Sequence, residues 1–315
     1  MTQDLLIITS PPASGKTYWI DQLAKVVGEK SLLIISPLRA LADECKVKWD
    51  NRLVVMTPEE WCRSPVHHQI VIFDEFHLHF YWGDTFRPLM WEVFYELTGT
   101  SELTILLSAT FSLEMQTQVV YFESQFDQML WFDGGNQTLK YKPISYVKVP
   151  HRSWILHCLE QTPLSCEKVS VVFCAYRHET EKVGDWLRHQ GFRVWTCVGG
   201  EAKKMQHLMQ TEKAPHFIVC TTVLSHGVNL PEISNVYFLY PIQNIDFWIQ
   251  MVARGGRSGN NYKVFGLEKP YGIKWSYWTN VLALLILGAK TYLRQYHQWF
   301  LKESSYTVFP IKKET

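Results

Sequence analysis

A Gly-Lys-Thr triplet near the start of the chain is the clearest sign of chemistry in the sequence. It closes residues 10–17, SPPASGKT, which follow an apolar run at 4–9 and precede a segment with helical periodicity. A small-residue turn between a strand and a helix directs backbone N–H groups at polyphosphate, while Lys16 supplies a point charge and the Thr17 hydroxyl binds Mg²⁺. The pattern predicts an ATP-type site formed by Ser10, Pro11, Pro12, Ala13, Ser14, Gly15, Lys16 and Thr17, with Ser10 where Gly is usual.

Two adjacent carboxylates, Asp74 and Glu75, follow the apolar run 70–73. Like charges at the end of a buried strand repel each other and resist desolvation unless a cation or water lies beside them. In α/β sheets that end of the strand is also where ligands bind. We therefore predict that Asp74 holds Mg²⁺ together with Thr17, and that Glu75 takes the proton from the attacking water. A solvated Asp-Glu pair at the start of a loop is the alternative.

Further polar groups follow other apolar runs. Ser108 and Thr110 place two hydroxyls after the run 103–107, where they could link a nucleotide site to a neighbouring domain. Residues 250–257, QMVARGGR, predict a helix that runs into a Gly-rich turn, with Arg254 and Arg257 three residues apart on one face. Paired guanidinium groups of this kind can clamp a γ-phosphate during phosphoryl transfer.

The segment 220–231, CTTVLSHGVNLP, begins where a predicted strand ends and continues as a loop rich in hydroxyl and amide groups. Its hydroxyls suit phosphate oxygens, and its small residues could approach a nucleotide closely. A structural loop of the same composition is the alternative. The predicted hydroxyl contacts are Thr221, Thr222 and Ser225, and the predicted nucleotide contacts are Gly227 and Asn229.

Composition favours a globular protein that binds its partners locally. Of the 315 residues, 47% are hydrophobic and 14% aromatic, and 31 Lys and Arg nearly balance 30 Asp and Glu. The chain therefore has no strong basic field, and any nucleic-acid binding must come from placed side chains and helix ends. The seven cysteines include no Cys-x-x-Cys pair, which favours core thiols in a reducing compartment over a disulfide frame or a zinc site.

Targeting signals are not evident. No basic leader precedes the first apolar run, and the apolar stretch 281–289 is too short to span a bilayer. We expect a soluble cytoplasmic or nuclear protein.

Short apolar runs alternate with helical patterns along the chain, which predicts an α/β fold of parallel sheets covered by helices. Composition becomes loop-like at 133–136 and extended over 140–150. We predict domains at 1–140 and 141–270 and a helical extension at 271–315. The predicted strands are 5–9, 32–36, 53–56, 70–73 and 103–107 in the first domain, and 169–174, 193–197, 217–220, 236–240 and 263–267 in the second.

Taken in order, these stretches resemble the motifs of superfamily 2 helicases, in particular the DExH branch. The wording of the last two motifs is most similar to Ski-type helicases. The matching stretches are motif I at 10–17, Ia at 37–42 (PLRALA), Ib at 57–59 (TPE), II at 74–77 (DEFH), III at 108–110 (SAT), IV at 171–176 (VVFCAY), V at 221–231 and VI at 250–257.

The resemblance implies two tandem RecA-like domains with ATP and Mg²⁺ between them and a single nucleic-acid strand across both, moved 3′ to 5′. It also implies that His77 couples the nucleotide to the second domain, and that Gln250, Arg254 and Arg257 face the phosphates. The residues that would hold the strand's backbone are Pro37, Arg39, Thr57, Glu59, Tyr176 and Thr221.

Other functions remain open. No Ski-type strand-separating domain is evident after motif VI, so an ATP-gated clamp or remodelling subunit is the alternative to a motor. In that case the aromatic stretches 80–91 and 275–299 would be docking surfaces for a protein partner, or else core. A P-loop enzyme acting on a small molecule would not explain motifs V and VI. The motifs do not distinguish RNA from DNA.

Overall fold

The computed structural model describes residues 3–50, 52–165, 167–225, 230–268 and 308–309. Their contacts form two compact units. The first unit comprises Met1–Tyr141, Leu224–Asn229 and Asn244–Ala253, and the second comprises Lys142–Val223, Leu230–Gln243 and Arg254–Thr315. Within this part of the chain, no helix is long and apolar enough to cross a membrane.

The first unit is built on a six-stranded sheet in the order β3-β2-β4-β5-β1-β6, in which all neighbours run parallel. Helices connect the strands. The strands are β1 Asp4–Thr9, β2 Leu32–Ile35, β3 Val54–Met56, β4 Ile70–Phe73, β5 Leu103–Ser108 and β6 Gln128–Asp133, and the helices are α1 Lys16–Val27, α2 Arg39–Lys48, α3 Pro58–Arg63, α4 Leu89–Thr98 and α5 Leu113–Val120.

Both faces of this sheet are buried, which is why its strands are apolar without alternation. Successive side chains point to opposite faces. Val71 and Phe73 of β4 pack with Phe94 of α4, whereas Ile72 packs on the other face with Ile20 of α1 and Ala42 of α2. The parallel direction brings the carboxyl ends of β1, β2, β4 and β5 to one edge, and the predicted motifs follow those ends.

The second unit contains a seven-stranded sheet in the order β13-β7-β12-β11-β8-β10-β9. Only β13 runs antiparallel to its neighbour among the described strands. A further helix, α9 Ile245–Val252, belongs to the first unit by its contacts. The other elements are strands β7 Ser145–Val149, β8 Val169–Phe173, β9 Val194–Cys197, β10 Phe217–Cys220, β11 Ile233–Phe238, β12 Lys263–Leu267 and β13 Val308–Phe309, and helices α6 Arg152–Glu160, α7 Arg177–His189 and α8 Ala202–Thr211.

The predicted fold class, two parallel sheets flanked by helices, is confirmed, but two strands were not predicted. β6 is an edge strand with mostly exposed residues, so it lacks the apolar run of a central strand. β7 was predicted as an extended connector, and it pairs with β12 instead. Most of the predicted helical extension lies outside the described residues, and β13 is the described part of it.

The aromatic stretch 80–91 supplies core more than surface. Phe80 is buried, and Trp91 packs edge-on against the rings of Phe80 and Phe94. Phe86, in contrast, is exposed. The predicted core thiols are found at Cys45, Cys174, Cys197 and Cys220, whereas Cys62 is exposed and Cys166 lies outside the described residues.

Candidate nucleotide and nucleic-acid sites

The predicted phosphate-binding loop joins a strand to a helix, and phosphate binding there stays a prediction. It leaves β1 at Thr9 and enters α1 at Lys16, so the helix N-terminus faces the loop. Left-handed backbone occurs at Ala13, with φ 62°, and at Gly15, with φ 102°. Residues 13–15 are exposed. The loop is therefore open to solvent beside the N-terminus of α1, where a polyphosphate can reach it.

Lys16 lies folded over this loop. Its Nζ donates to the Ser10 carbonyl at 3.3 Å, and the Ser10 and Ser14 hydroxyls bond each other at 2.8 Å. A second lysine, Lys140, donates to the Ala13 carbonyl at 3.1 Å. The two ammonium groups and the helix end together favour an anion here.

The Asp74-Glu75 pair follows β4, as predicted. Asp74 N donates to the Ile35 carbonyl at 3.0 Å, and Asp74 Oδ1 accepts the Glu75 N–H at 2.9 Å. Burial, and then the Glu75 charge, raise the pKa of Asp74 to about 7, while Lys16 opposes that rise. Two crowded carboxylates beside a hydroxyl-bearing loop form a hard oxygen donor set of the kind that suits Mg²⁺. Thr17 and Asp74 therefore fit a magnesium ion.

Glu75 has a left-handed backbone, with φ 47°. This conformation is costly for a residue with a side chain, and such strain is found preferentially at functional sites. On the next residue, Phe76 N donates to the Leu107 carbonyl at 2.9 Å, which ties this turn to β5. The Glu75 carboxylate is thus held near the ends of two central strands.

His77 and Ser108, two of the predicted coupling residues, meet at the same edge, and their role in coupling stays a prediction. His77 Nδ1 lies 2.9 Å from Ser108 Oγ, and both side chains are fully buried. Because Ser108 Oγ donates to the Thr110 carbonyl at 2.8 Å, it accepts from a protonated Nδ1. Burial lowers the pKa of His77, although Glu75 at 3.5 Å opposes this. The hydrogen bond between His77 and Ser108 therefore links motif II to motif III, and Thr110 takes part through its backbone.

Helix α9 brings Gln250 to Glu75. Gln250 Nε2 lies 3.4 Å from Glu75 Oε2 within the first unit. Gln250 is buried and its helix begins at the capping residue Asn244.

The two arginines of motif VI do not share a helix face, so that prediction was wrong. α9 ends at Val252, and Arg254 and Arg257 follow in a turn of the second unit. Gly255 forms a bridge to Ile233, and Gly256 has a left-handed φ of 60°, so the chain cannot continue as a helix. Arg254 is buried.

The predicted strand contacts of motifs Ia and Ib share a cleft. A cavity of about 450 Å³ is lined by Pro37, Arg39, Thr57 and Glu59, together with Trp82 and others. Thr57 caps α3, since its hydroxyl accepts the Glu60 N–H at 3.2 Å. Its hydroxyl and the Glu59 carboxylate are therefore committed to the protein, and their contact with a strand stays a prediction.

Arg87 organises this cleft and was not predicted. It donates to both Glu59 carboxylate oxygens, at 2.7 and 2.8 Å from Nη2, and to the Pro37 carbonyl at 2.7 Å. Burial alone would raise the pKa of Glu59, but the hydrogen bonds and charge of Arg87, together with hydrogen bonds from the Glu59 backbone N–H and from Thr57, lower that pKa. Arg87 thus joins motif Ia to motif Ib. A lone Arg before a Pro carries no sequence signal for this role.

The strand contacts predicted in the second unit lie at strand ends. Tyr176 precedes α7, is exposed and stacks on His178 with 5.6 Å between ring centroids. Thr221 and Thr222 follow β10, and the backbone of residues 222–225, including Ser225, forms a 3₁₀ turn. Gly227 and Asn229 lie outside the described residues.

A loop after β6 ties the end of β1, just before the phosphate-binding loop, to the residue that follows motif III, and the sequence showed it only as a loop. Asp133 Oδ1 accepts from the Thr9 hydroxyl at 2.9 Å and from Asn136 N at 2.7 Å. Asn136 in turn bonds both backbone groups of Phe111, at 2.7 and 2.9 Å. Polar side chains with such roles have no periodicity that sequence reasoning can detect.

Known helicases resemble this chain in sequence and in fold. Residues 154–259 match the helicase conserved C-terminal domain. An ATP-dependent RNA helicase RhlB from Shewanella pealeana is 26% identical over 168 residues, which cover 50% of this chain and 37% of that protein. An ATP-dependent RNA helicase dbp8 from Aspergillus clavatus is 28% identical over 130 residues, covering 39% and 25%. The chain thus spans well under half the length of these relatives.

Solved helicases share the fold. S. cerevisiae Dbp5 bound to RNA and ADP BeF3 superposes with a TM-score of 0.68 at 16% identity, over 91% of this chain and 82% of that one. Mycobacterium smegmatis helicase Lhr bound to ssDNA and AMP-PNP gives 0.62 at 17% identity, over 84% and 44%. These structures share with this chain the fold of two RecA-like sheets. None of the relatives and structures named here is a Ski-type helicase, so the expected Ski-type kinship is not supported.

Proposed function

We propose that this chain is a nucleic-acid-dependent ATPase of superfamily 2 that couples ATP hydrolysis to translocation on, or unwinding of, a nucleic-acid strand. The observation that carries the proposal is the meeting of three motifs at one sheet edge. The phosphate-binding loop follows β1, Asp74 and Glu75 follow β4, and Ser108 ends β5 against His77.

Each residue has a proposed task in hydrolysis. Lys16 and the backbone N–H groups at the start of α1 bind the phosphates, while Thr17 and Asp74 hold Mg²⁺. When bound, Mg²⁺ would neutralise charge on the β- and γ-phosphate oxygens. Glu75 accepts the proton of the attacking water, and Gln250 orients that carboxylate. His77 transmits changes at the nucleotide site to Ser108 in motif III. Arg254 and Arg257 are proposed to act on the phosphates.

We assign the motor to the DExH branch because the fourth residue of motif II is His77 and its ring bonds to motif III. A Ski-type assignment would rest on the wording of motifs V and VI alone. RNA is the proposed strand, since the curated relatives are named as RNA helicases. Its proposed backbone contacts are Pro37, Arg39, Thr57, Glu59, Tyr176, Thr221, Thr222 and Ser225.

Steady-state ATP hydrolysis tests the proposal, measured without nucleic acid, with single-stranded RNA and with single-stranded DNA. Lys16→Ala should abolish turnover, whereas Lys25→Ala, on the exposed side of the same helix, should leave it unchanged. Stimulation by RNA supports the assignment, and stimulation by DNA alone would move the substrate to DNA. No turnover under any condition would refute the function.

A duplex with a single-stranded extension then distinguishes the motor from the clamp. Release of the paired strand with ATP supports the motor. Retention of the strand with ATP, without release, would favour the ATP-gated clamp.

A further inference from the structure

A buried carboxylate, Asp246, lies in the first turn of α9 and has no task in the proposed hydrolysis. It is fully buried, and neutral donors hold both of its oxygens. Tyr81 donates its hydroxyl to Oδ2 at 2.6 Å, and Gln137 Nε2 donates to Oδ1 at 2.8 Å. Burying a carboxylate is costly unless its lone pairs are satisfied, so this arrangement specifies one position for the helix.

The start of α9 is anchored on the same tyrosine. Asn244 Oδ1 caps the helix by accepting from the N–H groups of Asp246 and Phe247, at 2.8 and 3.2 Å. Its Nδ2 donates to the Tyr81 hydroxyl at 2.7 Å. The ring of Phe247 packs on that of Tyr81 with 4.9 Å between centroids. The phenol therefore determines where the helix begins and how it is rotated.

Rotation of α9 decides where Gln250 points. Asp246 and Gln250 are four residues apart, so they lie on one face of the helix, one turn from each other. The first contacts Tyr81, on the π-helical turn His79–Gly83, and the second lies 3.4 Å from the strained Glu75. Two side-chain contacts, one from Asp246 and one from Gln250, therefore join α9 to the segment that carries motif II.

We propose that Asp246, held by Tyr81 and Gln137, is a positioning residue that places Gln250 against Glu75 and so orients the carboxylate for water activation. The inference rests on the proposed ATPase function. Gln137 extends the control to motif III, because its own N–H donates to the Ala109 carbonyl at 3.2 Å. A shift of motif III is thereby transmitted to Gln250 through Asp246.

Tyr81→Phe removes one hydroxyl from this network and leaves the ring in place. We expect kcat for ATP to fall about tenfold, while the KM for ATP changes less than twofold, because the phosphate-binding loop is not touched. Tyr121→Phe is the matched control, since Tyr121 is exposed at the end of α5. Gln137→Ala removes the other donor and should act in the same direction.

A double-mutant cycle distinguishes a role of Tyr81 in positioning Gln250 from a purely structural role. If Tyr81 acts through Gln250, Tyr81→Phe should lower kcat little further in a Gln250→Ala background. Equal loss in both backgrounds, or a kcat equal to that of Tyr121→Phe, would overturn the inference. Should Tyr81→Phe fail to fold, as judged by thermal unfolding, Gln137→Ala in the same two backgrounds decides the question. An inactive wild-type chain would instead refute the proposed ATPase itself.

Discussion

The glycines of motif VI make room for the buried ring of Tyr262. The structure therefore predicts how much stability a larger residue at Gly255 would cost. A Cβ at Gly255 would lie 2.1 Å from Tyr262 Cδ2, 2.6 Å from Cε2 and 2.7 Å from Cγ. Tyr262 is 1% exposed, so its ring cannot swing into solvent. Overpacking of this kind costs about 1–3 kcal/mol. We expect Gly255→Ala to destabilise the second unit by about that amount.

Thermal unfolding followed by far-UV circular dichroism measures the effect. For a domain of this size, 1 kcal/mol corresponds to about 4 °C in Tm, so Gly255→Ala should lower the Tm of the affected transition by about 4–12 °C. Gly199→Ala is the control, because a Cβ there meets only an Arg177 atom at 3.8 Å and Gly199 has no left-handed φ. Its Tm should stay within about 2 °C of wild type, since the added methyl group would meet only an ordinary van der Waals contact.

Relief of the clash provides the sharper test. Tyr262→Ala is destabilising alone because it leaves a cavity, but it also removes the Cγ, Cδ2 and Cε2 atoms that the new methyl would strike. The double variant Gly255→Ala/Tyr262→Ala should therefore be no less stable than Tyr262→Ala. Additive losses in the double variant, or a wild-type Tm for Gly255→Ala, would refute the steric argument.

Three further predictions follow from the first unit. Burial lowers the pKa of His79 to about 3, so the contribution of this residue to the free energy of unfolding is complete above pH 6.5 and is lost as pH falls. By pH 5 the loss from this residue should reach about 2 kcal/mol. His79→Leu should therefore flatten the pH dependence of the unfolding free energy measured in urea titrations. Arg87→Ala should raise the Kd for single-stranded RNA several-fold, and Arg87→Lys should not rescue it because a lysine cannot bond both Glu59 oxygens; an unchanged Kd would contradict the positioning role. Asn136→Ala leaves two Phe111 backbone groups without their partner and should cost about 1–3 kcal/mol, read as a lower urea midpoint, whereas an unchanged midpoint would show that water replaces the amide.

The elements that carry motifs I to III could be predicted because buried parallel strands have an unmistakable composition. The runs before Ser10, Asp74 and Ser108 are apolar without alternation, and the helix after Lys16 has a clear period. Once the strands are known to be parallel, their carboxyl ends must share an edge, so the meeting of these residues follows from topology. The edge strand β6 was missed because its exposed face mixes polar and apolar residues.

The contacts that position the site were not predictable, for a different reason. Tyr81 and Asp246 are 165 residues apart, and Gln137 and Asp246 are 109 apart. Each is a single polar side chain with no pattern around it in the sequence. Its role depends on the distant residue that the fold places beside it. Periodicity specifies which face of a helix is buried, but it does not specify which buried polar atom meets which.

Ser10 stands where motif I usually has glycine, and the structure explains why a serine fits there. Glycine is required where φ is positive or where another group leaves no room for a Cβ. In this loop the left-handed positions are Ala13 and Gly15, and Ser10 is not among them. Ser10 instead uses its hydroxyl to bond Ser14 across the loop at 2.8 Å. A serine at the first position is therefore compatible with the backbone of this loop, and its hydroxyl closes the loop by a side-chain hydrogen bond.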